Sequence, residues 1–229
     1  MNTAAEQGGA SPLVVAIDGP AGAGKSTVAR GLAARLGLRF LDTGAMYRAL
    51  TLLALEAGIA PGDAAALTAL AEATPLDFDA GGRIQVDGRS LEPDVRSAAV
   101  TSAVSEVSAH AGVREAVVAR QQELGRTWEG LVAEGRDTTT VVFPGAPFRF
   151  YLDASPAERA RRRAGELGTP ERVAEIQADI ERRDAYDSDR EHSPLHRGAG
   201  VEAVPTDDLD AAGVIEVLFG RIRGGGAGS

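Results

Sequence analysis

Residues 19–26 read Gly-Pro-Ala-Gly-Ala-Gly-Lys-Ser, a glycine-rich run closed by a lysine and a hydroxyl. It stands directly after the apolar stretch 13–17 and ahead of a helical apolar pattern over 28–36. Strand, loop and helix in that order are the context in which such a run wraps a phosphate. Gly19, Gly22 and Gly24 permit backbone angles and close approaches that a Cβ forbids. With Pro20, Ala21 and Ala23 they let the loop turn several N–H groups onto phosphate oxygens. The helix N-terminus adds partial positive charge. Lys25 supplies a mobile ammonium for β- and γ-phosphates, and the Ser26 hydroxyl is the expected Mg²⁺ ligand, with Thr27 as a second hydroxyl.

The elements that must position this loop form an alternating pattern. A strand over 39–41, a buried helix over 45–56 ending at Gly58 and a helix over 63–73 follow the first unit. Segments 76–79 and 83–86, separated by Ala80-Gly81-Gly82, read as a small hairpin that breaks the strand-then-helix rhythm. Helices over 95–107 and 113–124 lead into a strand over 131–133. A strand over 149–152, helices over 156–166 and 170–186, a strand over 201–204 and a helix over 209–219 complete the chain. The fold class is therefore α/β, a P-loop NTPase-type parallel sheet wrapped by helices. One domain is expected over 12–222, with core 12–60 and 127–222 and an insertion over 61–126, between disordered tails at 1–11 and 223–229.

Composition excludes several functions. Against 24 Lys and Arg stand 33 Asp and Glu, a net charge of -9, which disfavours nucleic acid or an acidic membrane as the main partner. The absence of cysteine removes disulfide and thiolate chemistry. The first twelve residues lack a basic and apolar leader pattern, and no run approaches the ~20 apolar residues of a membrane helix. A soluble, unprocessed, cytoplasmic protein is expected. The chain carries neither an Asn-Lys-x-Asp guanine-reading motif nor a Leu-Ser-Gly-Gly-Gln stretch, which leaves small-molecule phosphoryl transfer as the favoured chemistry.

Four further blocks carry a resemblance. Ile17-Asp18-Gly19-Pro20, Leu41-Asp42-Thr43-Gly44-Ala45-Met46-Tyr47-Arg48, Glu134-Gly135-Arg136-Asp137 and Thr140-Val141-Val142-Phe143-Pro144 are similar, in the same order, to bacterial cytidylate kinase. The resemblance implies ATP-dependent phosphorylation of CMP, usually also dCMP, by a monomer. It also implies a monophosphate-binding insert, overlapping 61–126, and a short lid near 159–170.

Residue by residue, Arg48 and Arg136 resemble the clamps on the acceptor phosphate, for which guanidinium forks are suited. Cytosine offers an amino donor beside two acceptors, a pattern that Asp137, Arg114 and Ser105 match. Thr43 and Tyr47 belong to the same implied pocket. Asp137 as a helix cap and Ser105 as a helix-surface hydroxyl are the competing readings. Arg183 and Asp187 align with the residues that take the sugar, their i, i+4 spacing placing them on one helix face, and Arg190 resembles a further acceptor-site arginine. The run 158–163 reads either as a solvated helix face or, by the resemblance, as the border of the lid, whose arginines reach the donor phosphates on closure; Arg159 and Arg163 are the two implied, though sequence alone does not choose among the four. Arg96 also resembles an insert residue of the family.

The chain departs from the family at Thr138-Thr139-Thr140, where a glycine has become Thr139, a substitution that would strain a backbone needing glycine. Gly145, Tyr186 and Ser188 also differ from the usual residues. The rival readings are another small P-loop kinase, acting on UMP, AMP or a small hydroxyl acceptor, and a catalytically weak nucleotide-binding switch.

Overall fold

A computed structural model describes residues 12–188 and 195–225, apart from the side chain of Asp187. The expected tail 1–11 and Arg190 lie outside the described residues. Strand β1 (Leu13–Asp18) leads through the glycine-rich loop into α1 (Lys25–Leu36), then β2 (Arg39–Asp42) and α2 (Thr43–Glu56). Helix α3 (Ala64–Ala73), strands β3 (Leu76–Phe78), β4 (Ile84–Val86) and β5 (Arg89–Ser90), and helices α4 (Ala98–Val107) and α5 (Ala111–Thr127) follow. The chain returns through β6 (Gly130–Gly135), β7 (Phe148–Asp153), α6 (Pro156–Leu167), α7 (Val173–Ser188), β8 (Glu202–Pro205) and α8 (Ala211–Gly225).

The main sheet has the order β2-β6-β1-β7-β8, every neighbour parallel. Both faces are covered, as parallel sheets require. Alternation along β6 shows the division: Leu131 and Ala133 enter the cluster built on α2, α4 and α5, whereas Val132 enters the one beneath α1 and α8. The apolar residues of the 61–126 segment, among them Leu67, Phe78, Val104 and Val117, join the same cluster as Leu41, Met46 and Leu131. The insertion thus has no core of its own. Arg39 fastens it further, donating to the Phe78 carbonyl at 2.8 Å while lying 3.6 Å over the Trp128 ring; within the insertion itself Arg120 donates to the Leu76 carbonyl at 2.7 Å.

Several boundaries differ from expectation for local reasons. The helix expected over 95–107 is divided into a 3₁₀ turn at Asp94–Arg96 and α4, because Ser97 adopts an extended backbone and caps Val100. The helix expected from Pro170 likewise opens as a 3₁₀ turn, Pro170–Arg172, before α7. Strand β5 was not anticipated; it is two residues long and adds an antiparallel edge to β4. The expected disordered tail from 223 is corrected through residue 225: α8 continues because Ile222 is buried and Arg223 lies over the Phe219 ring.

At the end of β1 the fully buried Asp18 receives four hydrogen bonds. Its Oδ1 accepts from the amide and hydroxyl of Thr138 at 2.8 and 2.6 Å, and its Oδ2 from the amide and hydroxyl of Thr139 at 2.7 and 2.6 Å. These residues open a π-helical turn, Thr138–Val142. Among the described non-glycine residues only Asp87 has positive φ, so the strain anticipated at Thr139 is absent and its hydroxyl serves the carboxylate instead. Thr139→Val, which keeps the volume but removes one donor, is expected to lower the unfolding free energy by about 1–3 kcal/mol in urea titrations, with Thr139→Ser close to wild type. An unchanged midpoint for the valine variant would show the fourth donor to be dispensable.

Candidate functional site

The carboxyl edge of a parallel sheet is where α/β folds hold ligands, and here it opens into a cavity of about 480 Å³. Gly24, in the left-handed region at φ 83°, starts α1 without a side-chain cap, which leaves the first helical amides directed at the loop. Ala21, Gly22, Gly24, Lys25, Ser26 and Thr27 line the cavity. Gly19, Pro20 and Ala23 do not; they shape the loop from behind. The Pro20 carbonyl accepts from Lys25 Nζ at 2.8 Å, the Gly19 carbonyl accepts from Arg136 Nη1 at 3.0 Å, and Ala23 is buried.

Register supplies two acids that the sequence reading did not assign. Asp42 and Glu134 are partners on adjacent strands β2 and β6, both at the cavity. Ser26 donates to Glu134 Oε1 at 2.5 Å, and Asp42 Oδ1 caps α2 through the Ala45 amide at 2.8 Å. Burial and the neighbouring Asp42 raise the pKa of Glu134 above its ordinary value. The available signal was an acid ending each of two apolar strand patterns. Thr43 donates to the Glu134 carbonyl at 2.7 Å, an approach that needs Gly135, where a Cβ would lie 2.4 Å from the Thr43 hydroxyl.

Four guanidiniums implied by the resemblance meet here. Arg48 from α2, Arg136 after β6, Arg163 from α6 and Arg183 from α7 all line the cavity, joined by Arg96. Burial, then Arg183 and Arg96, pull the pKa of Arg48 down to about 10, a measure of how closely these cations crowd. Asp42 answers part of that charge, at 3.5 Å from Arg96.

The far end of the cavity is lined by Tyr47, Ser105, Ser108, Arg114 and Asp137. Arg114 and Asp137 form a buried ion pair. Arg114 also donates to the Ser108 carbonyl at 3.1 Å and lies 5.3 Å over the Tyr47 ring. The Asp137 side chain makes no cap to the following turn, and Ser105 faces the cavity rather than solvent alone.

One expected residue is placed elsewhere. Arg159 is buried beneath the loop, where it donates to the carbonyls of Ala154 at 3.0 Å and Ala21 at 2.9 Å and pairs with Asp184. Asp184 in turn accepts from the Ala21 amide at 3.1 Å, so both polar groups of that loop residue are held. Arg159 is therefore a brace of the loop rather than a cavity residue, which corrects the expectation of direct contact. Asp184 was missed because an acid within an Arg- and Asp-rich helix carries no distinguishing pattern. Asp187 lies on α7 without a described side chain.

A phosphate-cradling loop at the carboxyl edge of this sheet, beneath a cationic cavity, defines a P-loop nucleotide-binding protein of the kinase type. Within that class the chain belongs to the cytidylate kinase family, whose model matches residues 15–223. It is 43% identical over 219 residues to the cytidylate kinase of Mycolicibacterium paratuberculosis, covering 93% of this chain and 96% of that protein. It is also 46% identical over 218 residues to the bifunctional pantoate ligase/cytidylate kinase of Parasynechococcus marenigrum, where the match covers 92% of this chain and 43% of the longer protein. The chain thus spans less than half the length of such bifunctional relatives. An uncharacterized protein from Eubacterium ventriosum shares the fold, with a TM-score of 0.53, 9% identity and coverage of 92% of this chain and 98% of that one.

Lys25 generates a pH prediction. Burial, reinforced by Arg136, lowers its pKa to about 7, so the charged form is lost as pH rises through that value, and an arriving polyanion restores it. Inorganic tripolyphosphate is expected to take up about one more proton on wild type than on Lys25→Met at about pH 8, and much less of that excess at about pH 6. Calorimetry in buffers of different ionisation enthalpy measures the excess, and an equal excess at both pH values would exclude Lys25 as the proton acceptor.

Proposed function

We propose that the protein transfers the γ-phosphoryl group of ATP to CMP, and also to dCMP, giving the diphosphates. The observation that carries this reading is a single cavity in which the glycine-rich loop, four family-matched arginines and the buried Arg114–Asp137 pair face one another. Its volume falls within the range of small-molecule sites.

Phosphoryl transfer asks the protein mainly for alignment and for positive charge around the transferring group. The loop amides and Lys25 hold the donor phosphates, and Arg163 approaches them from α6. Arg48 and Arg136 grip the acceptor phosphate, with Arg190 as a further acceptor-site arginine and Arg183 and Asp187 taking the sugar. Arg136 also binds the Gly19 carbonyl, which ties the acceptor clamp to the start of the donor loop. At the base end, ionised Asp137 accepts from the cytosine amine, Arg114 and Ser105 address the remaining edge, and Thr43 and Tyr47 bound the pocket. The 61–126 segment acts as the monophosphate-binding part and 159–170 as the lid. Closure over the cavity excludes water from the transfer.

The oxygen set Ser26, Glu134 and Asp42 suits Mg²⁺, a hard cation that binds through one or two carboxylates together with substrate phosphates. When bound, the ion neutralises charge between the transferring phosphates. Among the described residues no helix is long and apolar enough to cross a membrane, and the cytosol, with its nucleotide pools, is the proposed compartment.

Coupled turnover with CMP, dCMP, UMP and AMP tests the activity: CMP should give the highest kcat/KM, and a preference for AMP or UMP would overturn the assignment. Lys25→Ala is expected to stay folded and lose most of that turnover, because the developing charge loses a positioned cation; full steady-state activity would remove Lys25 from the transfer. In Asp137→Asn the CMP-to-UMP ratio of kcat/KM should fall at least several-fold, since an amide can donate to uracil O4 and relieve a mismatch worth ~1–3 kcal/mol. An unchanged ratio at normal thermal stability would take Asp137 out of base reading.

A further inference from the structure

Helix α4 turns Thr101, Val104, Ser105 and Ser108 toward the cavity, at the i, i+3, i+4 and i+7 spacing of one helical face. Its first cavity-facing residue meets Arg48. The Thr101 hydroxyl accepts from Arg48 Nη1 at 2.9 Å, and the Val95 carbonyl, just ahead of the helix, accepts from the same nitrogen at 3.4 Å. A guanidinium Nη carries two N–H groups, so the insertion engages this nitrogen on both and leaves the other face of the fork for an anion.

Fixing this side chain matters because its surroundings do not favour it. Arg96, Arg163 and Arg183 act against its charge, and the acid that acts in its favour, Asp42, is engaged by Arg96 and by the α2 cap. A flexible cation in such company moves away unless neutral acceptors hold it.

We infer that Thr101 is a positioning residue that orients Arg48 for the acceptor phosphate, so that the grip on the monophosphate depends on α4 being docked. The inference rests on the assignment of Arg48 to that phosphate under Proposed function. It places phosphate and base recognition on one rigid element, since Ser105 is one helical turn beyond Thr101. Thr101 is exposed at the cavity rim and absent from the apolar core, so its substitution leaves the packing intact.

Steady-state kinetics of Thr101→Val, Thr101→Ser, Arg48→Ala and the Arg48→Ala/Thr101→Val double variant test this. Thr101→Val is expected to raise the KM for CMP about three- to tenfold, the weight of one ordinary hydrogen bond at an exposed rim, with the KM for ATP within about twofold of wild type. Thr101→Ser should restore the CMP value, and the double variant should match Arg48→Ala, because Thr101 acts through that arginine. An unchanged CMP KM in Thr101→Val, failure of serine to rescue, or additive losses in the double variant would each overturn the inference while leaving the Arg48 assignment standing. Should Arg48→Ala itself leave the CMP KM unchanged, the assignment and the inference fall together.

Discussion

A carboxylate with no access to water must have its lone pairs filled from the protein, and Asp18 has two backbone amides and two hydroxyls arranged around it. An isolated charge in that position would be prohibitively costly. The requirement fixes the turn that begins at Thr138 against the end of β1, and Arg136 and Asp137 immediately precede that turn. Because the glycine-rich loop departs from β1 at Gly19, one buried acid sets the distance between the loop and the arginine and aspartate facing it across the cavity. The hydrogen bond from Arg136 to the Gly19 carbonyl closes the same circuit from the other side.

Around this frame the protein collects like charges that water would otherwise keep apart. Seven cationic side chains, Lys25, Arg48, Arg96, Arg114, Arg136, Arg163 and Arg183, line one cavity, and burial is the leading cause of the lowered pKa values at Lys25 and Arg48. Their mutual repulsion is a cost to the unliganded fold, offset in part by Asp42, Glu134, Asp137, Glu166 and Asp179 along the same walls. A ligand bringing several negative charges relieves it. The site is therefore preorganised for anions through its own electrostatic tension.

How much of this was readable from sequence depended on whether a residue acts locally. The loop announced itself because glycines, lysine and hydroxyl must be contiguous to wrap a phosphate. The β1, α1 and α2 patterns were clear because their apolar periodicity is long. Asp42 and Glu134 were not assigned, since their meeting depends on the register between β2 and β6, which no short window encodes. Arg159 was misplaced for a related reason: four arginines in six residues share one helix, and which of them turns under the loop is decided by Asp184 on a different helix. Thr139 looked like a source of strain only while its partner Asp18, 121 residues away, was out of view.

The α6–α7 hairpin carries a small apolar cluster of its own, Ala160, Ala164, Ile176 and Ile180, separate from both clusters of the main sheet. The 61–126 segment has no such independence, being woven into the cluster beneath β6. Stability is consequently partitioned in two ways. Slow amide exchange in the insertion should track global unfolding, whereas the hairpin, joined to the rest through Ala21 and Thr206, is expected to open locally at lower free energy. Arg163 and Arg183 sit on the two arms of that hairpin, so its internal packing sets the spacing between two of the positive charges at the cavity.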